Sequence, residues 1–290
     1  MADQTLAKKF YEVIIIDNCS MDHTGMISNS FLNRNENFRY VYEPELGLSN
    51  ARNRGWREAK GEYVAYIDDD AKAEPEWLFE MFDFINRHPD VSVFGGPYEG
   101  YALVDIPDWF PSEYGSHNLG FTDRPIEVGK EWISGGNIVF HKEVLQICGG
   151  FHDVLGMKGN KVSYGEETRL IKDLSDLGYD IYYASKMKVK HLIAEYKMSL
   201  WWLLKSNYYY GRSSSKTFNI KYSFLDCCKI IIYNILLFPH IFIKKKNVPL
   251  KSRLHESLKG VFFAVGVIVS YNLTLLSKTS SRSNIKLKNS

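Results

Sequence analysis

The sequence predicts an α/β fold, in which a sheet of strands lies between layers of helices. Short apolar runs rich in β-branched and aromatic residues recur along the early part of the chain, each bounded by polar residues or glycine. Runs of this kind are typical of strands that are covered on both faces. Segments with apolar residues at helical spacing separate them, and this alternation favours right-handed crossovers within one sheet.

Four strands and two helices are predicted in the first part of the chain. The strands are Tyr11–Ile16, Phe38–Tyr42, Tyr63–Ile67 and Val91–Phe94. One helix, Leu48–Ala59, follows a turn at Gly47. A second, Glu76–Arg87, begins after Pro75 and carries apolar residues on one face.

The pattern is interrupted between Gly95 and Lys130, where proline, glycine, aspartate and aromatic residues dominate. A loop of this length inside a compact domain is usually functional or mobile. Regular structure is predicted to resume with Trp132–Phe140 and a helix from Lys142. The elements predicted after these are a helix over Glu166–Leu177 and a strand over Asp180–Ala184.

The last part of the chain is apolar and basic. Phe224–Ile243 and Gly260–Leu276 are strongly apolar, but polar residues interrupt both, and a bilayer span needs roughly 20 predominantly apolar residues. Ten lysines and arginines follow Ile243, against one acid, Glu256. We therefore expect two helices at a membrane surface, with lysines at the headgroups. The alternative is that both helices pack on the rest of the protein or on a second subunit.

Composition and targeting signals narrow the class of protein. The net charge of +2 gives no electrostatic footprint for nucleic acid, so no nucleic-acid partner is expected. The four cysteines lack Cys-x-x-Cys spacing, which argues against a zinc site or a redox dithiol. No apolar signal segment opens the chain, so we expect a cytoplasmic protein, peripheral or interfacial at the cytoplasmic face of the membrane.

The predicted organisation is a domain at 1–211, an apolar and basic helical extension at 212–277 and a disordered basic tail at 278–290.

Three carboxylates end one predicted strand abruptly. Asp68, Asp69 and Asp70 follow the apolar run Tyr63–Ile67. Ligands of open α/β sheets lie outside the carboxyl ends of strands, and adjacent acids repel one another unless they share a cation. Asp68 and Asp70 leave the strand on the same side, so we expect them to hold Mn²⁺ or Mg²⁺, which would bridge a diphosphate. A solvated acidic turn is the alternative.

Further motifs lie in a fixed order around this strand. They are the strand ending in Asp17 and followed by Ser20 and Asp22, Gly47-Leu-Ser-Asn-Ala-Arg-Asn-Arg-Gly55, Ala59-Lys-Gly-Glu62, Ser134-Gly-Gly-Asn-Ile-Val-Phe140 with Gly149-Gly-Phe151, Tyr164-Gly-Glu-Glu-Thr-Arg-Leu170, Gly178-Tyr-Asp-Ile-Tyr-Tyr183 and His191. This order resembles the family-2 glycosyltransferases of the GT-A fold, over about Tyr11 to Gly211. The fold that this resemblance implies is a mixed, mainly parallel sheet with helices on both faces.

The resemblance implies inverting, metal-dependent transfer from a UDP-, GDP- or dTDP-sugar to a glycan or lipid-linked acceptor, in polysaccharide or glycolipid synthesis. It also implies roles for single residues. Asp17 would accept a hydrogen bond from the nucleobase, and Arg52 would lie near the base or the diphosphate. Asp68 and Asp69 would contact the donor, Asp70 the metal ion, and Asn137 with its neighbouring glycines would line the sugar pocket.

The catalytic base is expected at the start of the helix that follows Gly165. Inverting transfer needs a carboxylate that accepts the acceptor hydroxyl proton. The family usually has Asp in this position, in a Glu-Asp pair, whereas this chain has Glu166 and Glu167. Glu167 is therefore the candidate, with Glu166 beside it, and the alternative is that both acids only favour the helix start. His191 is a further candidate metal or phosphate contact, or a structural histidine.

The family pattern also has an apolar strand and a helix before the strand that begins here at Tyr11. Ala2–Leu6 is interpreted as the end of that helix. The possible origins are a misassigned start, a fragment or a degenerate protein, and the last would be an inactive, membrane-associated binding or scaffold protein. A nucleotidyltransferase is the other enzyme considered, but the early sequence has no basic, glycine-rich triphosphate loop.

Overall fold

The computed structural model describes residues 1–159, 161–220, 222–244 and 248–286. The chain divides into two compact units. The first, here called the sheet unit, comprises Met1–Leu103, Glu113–Val162 and Glu166–Ile193. The second, here called the helical unit, comprises Val104–Ser112, Ser163–Gly165 and the chain from Ala194.

Ten strands lie within the described part of the sheet unit. They are β1 Val13–Asp17, β2 Phe38–Tyr42, β3 Tyr63–Ile67, β4 Ala71–Ala73, β5 Val93–Gly95, β6 Tyr98–Tyr101, β7 Arg124–Pro125, β8 Asn137–His141, β9 Ile181–Tyr183 and β10 Val189–Leu192. Five of them form the largest sheet, in the order β3-β8-β5-β9-β7. Three form a second sheet, in the order β4-β10-β6, and β1 pairs with β2 in parallel.

Five helices connect these strands. They are α1 Thr24–Leu32, α2 Leu48–Glu58, α3 Trp77–Arg87, α4 Lys142–Cys148 and α5 Glu166–Asp176. Because side chains alternate across a strand, the central strands of the largest sheet contribute to two cores. Val93 and Ile138 pack with residues of α4 and α5, whereas Phe94 and Val139 pack with residues of α3. Helices on both faces explain why apolar residues occupy successive positions of these strands, as at Ile138–Phe140 of β8.

Three helices dominate the helical unit: α6 Leu200–Thr217, α7 Phe224–Lys244 and α8 Leu250–Lys286. Glycines bring α6 and α8 close together. A Cβ on Gly211 would lie 2.0 Å from the Phe263 carbonyl oxygen, and one on Gly266 would lie 2.0 Å from that of Tyr208. These helices therefore pack backbone to backbone at both positions.

The α/β fold class is confirmed, but the strand directions differ from the expectation. β2 and β3 have the predicted bounds. Of the seven ladders between described strands, three are parallel and four are antiparallel, so the sheets are mixed rather than mainly parallel. Two of the four antiparallel ladders arise because β8, which follows the long irregular segment, enters between β3 and β5 and is antiparallel to both. The other two are β10–β4 and β7–β9.

Other differences concern boundaries. The predicted loop between Gly95 and Lys130 contains β6 and β7, and Met1–Leu6 forms turns instead of the end of a helix. The two units divide at Ile193 rather than at the expected position, 211, because α6 packs with α8. Residues 278–286 of the expected disordered tail continue α8, and residues 287–290 lie outside the described residues.

Candidate active site

Three carboxylates follow β3 at its carboxyl end, as the sequence predicts. They form a turn that is closed by a hydrogen bond from the Ala71 amide to the Asp68 carbonyl, 3.1 Å long. Asp69 is exposed, whereas Asp68 and Asp70 are half-buried. The turn therefore brings two of the three side chains against the protein.

His191 lies beside Asp70 because β10 pairs with β4 directly after the acidic turn. His191 is opposite Ala71 in this antiparallel ladder. Its Nε2 lies 3.3 Å from Asp70 Oδ2. Its other ring nitrogen, Nδ1, is buried and has no hydrogen-bond partner among the residues that the structure describes. The structure thus brings together two of the three predicted metal contacts, Asp70 and His191.

Tyr98 is a site residue that the sequence reasoning missed. Its ring stacks on His191, with centroids 4.8 Å apart. Burial raises the pKa of its hydroxyl group, and the negative charges of Asp68 and Asp70 raise it further. No signal in the sequence singled it out, because β6 lies inside the segment interpreted as a loop.

The donor set at this strand end fits a divalent cation that also binds a substrate phosphate. Among the described residues, no three His, Cys, Asp or Glu side chains lie together as a complete cation site. Mg²⁺, however, is usually bound through one or two carboxylates together with substrate phosphates. Asp70 supplies a half-buried carboxylate, and His191 supplies an imidazole whose buried Nδ1 has no protein partner among the described residues. Asp68 directs its Oδ1 elsewhere, to Arg52.

Arg52 of α2 lies between the strand end and the start of α5. Its Nη1 is 2.8 Å from Glu166 Oε1 and 3.9 Å from Glu167 Oε2, and its Nη2 is 3.3 Å from Asp68 Oδ1. The side chains of Arg52 and Glu166 are only 7% and 6% exposed. Arg52 therefore neutralises part of the charge of three carboxylates, the buried Glu166 and the partly exposed Asp68 and Glu167, which without it would repel one another.

Glu167, the predicted base, has an unusual acidity in this position. Burial raises its pKa from 4.5 to about 8, and the charge of Glu166 adds to this rise, while the charge of Arg52 opposes it. Its side chain keeps 19% of its surface exposed, so it remains accessible. A carboxylate with a pKa near neutrality is suited to accept a proton in a reaction at physiological pH.

Two predicted glycines make room for the side chains of this cluster. A Cβ on Gly135 would lie 2.8 Å from both terminal nitrogens of Arg52. A Cβ on Gly136 would lie 2.4 Å from Asp68 Oδ2. The sequence predicts that these glycines allow close approach to a sugar, and the structure gives them contacts with Arg52 and Asp68 of the protein itself.

Asp17 ends β1 and is held by its neighbours. Its Oδ2 accepts a hydrogen bond from the Tyr40 hydroxyl at 2.6 Å, and its Oδ1 accepts one from the Ser20 amide at 2.9 Å. Burial alone would raise the pKa of Asp17, but these hydrogen bonds outweigh it and lower the pKa. The bond to Asp17 raises the pKa of Tyr40 to about 12. Asp17 is thus a buried, ionised acceptor at neutral pH.

Asn137 does not lie at the surface of the site. Its side chain is 0% exposed. Its Oδ1 accepts a hydrogen bond from Trp77 Nε1, and its Nδ2 donates to the carbonyl groups of Pro97 and Met187. The amide therefore has no free surface with which to line a sugar pocket, and it links β8 to α3 and to two loops.

Comparison with known proteins bears on the family and the fold. The model of the family described as glycosyl transferase family 2 matches residues 1–144. Residues 1–144 belong to glycosyl transferase family 2. The chain is 28% identical over 207 residues to the glucosyl-dolichyl phosphate glucuronosyltransferase of Haloferax volcanii, a match that covers 70% of this chain and 66% of that protein. It is 34% identical over 190 residues to glycosyltransferase AglE of the same organism, covering 63% of this chain and 57% of that protein. The match thus spans two thirds or less of either relative.

Solved structures share the fold of this chain. Staphylococcus aureus TarS 1–349 in complex with UDP-GlcNAc matches with a TM-score of 0.52 at 16% identity, over 97% of this chain and 86% of that chain. The mannosyltransferase PcManGT from Pyrobaculum calidifontis, in complex with GDP-Man and Mn²⁺, matches with a TM-score of 0.54 at 14% identity, over 97% of this chain and 74% of that chain. The expected GT-A fold is therefore confirmed.

Proposed function

We propose that this chain transfers a sugar from a nucleoside-diphosphate sugar to a glycan or lipid-linked acceptor, with inversion at the anomeric carbon. One observation carries the proposal. Arg52 joins the carboxylate end of β3 to Glu166 and Glu167 at the start of α5. The proposed donor site and the proposed proton acceptor therefore flank one guanidinium group. The donors named for solved relatives, UDP-GlcNAc and GDP-Man, support this class of donor.

Mn²⁺ or Mg²⁺ is the proposed cofactor, held by Asp70 and His191. When bound, such an ion neutralises negative charge that develops on the departing diphosphate. Asp17 is the proposed acceptor for the nucleobase, since its buried carboxylate is ionised at neutral pH. Asp68 and the exposed Asp69 are proposed to contact the donor beside the ion.

Glu167 is proposed to accept the proton of the acceptor hydroxyl group. The hydroxyl oxygen forms a bond to the anomeric carbon on the face opposite the diphosphate. The bond between that carbon and the diphosphate oxygen breaks, the electron pair leaves with the nucleoside diphosphate, and the proton passes to a Glu167 carboxylate oxygen. Because attack and departure occur on opposite faces, the configuration is inverted.

The test is release of nucleoside diphosphate from UDP-, GDP- and dTDP-sugars, with Mn²⁺ or Mg²⁺, in the presence of glycan and lipid-linked acceptors. We expect release from donors with one base, dependent on the metal ion and lost in Asp70→Asn. Exposed Asp90→Asn is the matched control and should retain release. A protein that melts cooperatively but releases nucleotide from none of these donors would favour the alternative of an inactive scaffold.

We also propose that α7 attaches the protein to the cytoplasmic face of a membrane. Leu225, Ile232, Leu236 and Ile243 of α7 are exposed and lie at seven-, four- and seven-residue steps, which places them on one face of the helix. Lys229, also exposed, follows Leu225 by one turn on this face. An exposed apolar face with lysines fits an anionic lipid surface.

α8 is longer than α7, but its environment is different. Within the described residues, Leu250–Tyr271 is the one segment long and apolar enough to cross a membrane by length and composition alone. Its Ala264 and Val267 are nevertheless buried, and its Gly266 contacts the α6 backbone. Protein therefore covers this side of α8, and α7 is the better candidate for lipid contact.

Co-sedimentation with phosphatidylglycerol vesicles tests the membrane proposal. The double variant Ile232→Ser, Leu236→Ser should lose most of the bound fraction, while Phe121→Ser, at a position 91% exposed in the sheet unit, should not. Binding should also weaken with salt, because the lysine contribution is screened. Equal binding of all three proteins would contradict a role for α7.

A further inference from the structure

Arg52 is a buried positive charge within the candidate site. Its guanidinium group meets carboxylates from two elements, Asp68 after β3 and Glu166 and Glu167 of α5. At 7% exposure it has little surface to offer a substrate. The resemblance to the family suggested a contact with the nucleobase or the diphosphate, but both terminal nitrogens already face protein carboxylates.

The surroundings of Arg52 fix it in one position. The hydroxyl group of Tyr66 donates a hydrogen bond to the Arg52 carbonyl oxygen at 3.1 Å, which ties α2 to β3. The guanidinium carbon lies 5.5 Å from the centre of the Phe151 ring. On another side the Gly135 backbone is so close that a Cβ there, 2.8 Å from both terminal nitrogens, would displace the guanidinium group.

The distances also rank the partners of Arg52. Glu166, at 2.8 Å and 6% exposed, makes a buried ion pair. Glu167 is 3.9 Å away and 19% exposed, so Arg52 influences it without binding it tightly. Glu166 and Glu167 share the first turn of α5, so the ion pair that holds Glu166 also fixes the backbone that carries Glu167. The Glu167 carboxylate is thereby oriented, but it remains accessible to an acceptor.

We propose that Arg52 is a positioning residue: by binding Glu166 it fixes the position of Glu167 relative to Asp68. The Gly135 backbone packs against the guanidinium group and holds Arg52 in this position. This inference rests on the proposed function, because it assigns Glu167 as the base. It removes Arg52 from the set of donor contacts.

The proposal predicts how variants divide between turnover and donor binding. Charged and titratable groups that face Glu167 are Glu166 of its own helix and Arg52 of α2, with Asp68 and Tyr66 facing Arg52 from the β3 side. Removing the positive charge in Arg52→Met should raise the pKa of Glu167, so the acid limb of kcat/KM should move upward by about one pH unit, an activity loss of about tenfold at pH 7. Donor KM should change less than about threefold.

Two further variants separate position from charge. Arg52→Lys keeps a positive charge but cannot bridge two carboxylates, so kcat should fall with a smaller shift of the acid limb. Gly135→Ala leaves Arg52 intact and displaces it, so it should lower kcat in the same way. Arg54→Met is the matched control, because Arg54 lies on the same helix in a more exposed ion pair with Glu58, and its pH profile should equal that of the wild type.

The experiment is the pH dependence of nucleotide release by the full chain and these four variants, with folding checked by thermal melting. A raised donor KM with an unchanged pH profile in Arg52→Lys and Gly135→Ala would overturn the positioning role and restore a donor contact. If Arg52→Met fails to fold, Arg52→Lys and Gly135→Ala still distinguish a positioning role from a donor contact. A wild type that releases no nucleotide at any pH would instead contradict the proposed function, so the two failures are distinct.

Discussion

At the start of α5, the carboxyl group of Glu167 has a raised pKa and a partly exposed position beside a buried ion pair. Glu167 lies next to Glu166 and within 3.9 Å of Arg52, and burial raises its pKa to about 8. The like charge of Glu166 favours its protonated form, whereas Arg52 favours its ionised form. The balance of these three residues sets the fraction of protein in which Glu167 can accept a proton.

The first residue-scale prediction concerns activity. Glu167→Gln should reduce nucleotide release with a suitable acceptor by about 10²–10⁴-fold, because it removes the proton acceptor. Donor binding should stay within a few-fold, since the acceptor hydroxyl and not the donor contacts this group. Steady-state kinetics measure both, with exposed Glu36→Gln as the control. Unchanged turnover in Glu167→Gln would rule out this residue as the base.

A second residue-scale prediction concerns stability. Folding raises the pKa of Glu167 from 4.5 to about 8, so between these pH values the folded protein holds a proton that the unfolded chain has released. The free energy of unfolding therefore falls as pH rises through this interval. Glu167→Gln removes this titration, so its Tm should exceed that of the wild type by more at pH 9 than at pH 5. An equal difference at both pH values would contradict the raised pKa.

At the scale of elements, α2 is the scaffold of the site. Arg52 faces the carboxylate cluster, whereas the next residue, Asn53, holds the segment after α4. Asn53 Nδ2 donates to the Phe151 carbonyl, and Asn53 Oδ1 accepts from the Phe151 amide, both at 2.8 Å. The Asn53 side chain thus bonds both backbone groups of Phe151, as a neighbouring strand would. A Cβ on Gly150 would clash with the Asn53 side chain, so glycine is needed there.

The prediction at this scale is a loss of stability in Asn53→Ala. The substitution leaves the buried backbone groups of Phe151 without partners, so we expect the free energy of unfolding to fall by about 2–4 kcal/mol. Asn86→Ala is the control, because Asn86 is exposed on α3, and it should stay within about 0.5 kcal/mol of the wild type. Urea denaturation measures both, and a loss in Asn53→Ala no larger than the control would contradict the anchoring role.

Elements with strong local patterns could be predicted from the sequence, whereas short strands could not. β2 and β3 are five-residue runs of β-branched and aromatic residues, and their predicted bounds are confirmed. β4 has three residues and β6 and β10 have four, too few for a periodic signal, and each depends on partners far along the chain. Tyr98 was missed for this reason.

The same limit applies to the site. The acidic strand end and the Glu166–Glu167 pair stand out as local clusters, and family motifs pointed to Arg52 and His191. Their partners depend on tertiary structure: Arg52 and Glu166 are 114 residues apart, and His191 meets Asp70 only through the β10–β4 register. Asn137 was expected at the sugar because of its motif, but its burial among three hydrogen-bond partners follows from packing that the sequence does not display.

At the scale of the whole molecule, each unit has a distinct proposed task. The sheet unit carries every residue proposed to bind donor, metal ion or acceptor proton, and its Asp68, Asp69 and Asp70 form an acidic strand end. The helical unit carries the exposed apolar face of α7 and the lysines near it.

We propose that the strand end binds a nucleoside diphosphate through a divalent ion held by Asp70. A thermal-shift panel of UDP, GDP and dTDP, each with and without Mn²⁺, on the full chain and on Asp70→Ala tests this binding. Ligand at 100 times its Kd adds about 2.7 kcal/mol to the free energy of unfolding, so we expect a Tm rise of several degrees with one base. That rise should need both Mn²⁺ and Asp70. No rise in Tm with any nucleotide, or an equal rise in Asp70→Ala, would contradict the binding of a nucleoside diphosphate through an ion held by Asp70.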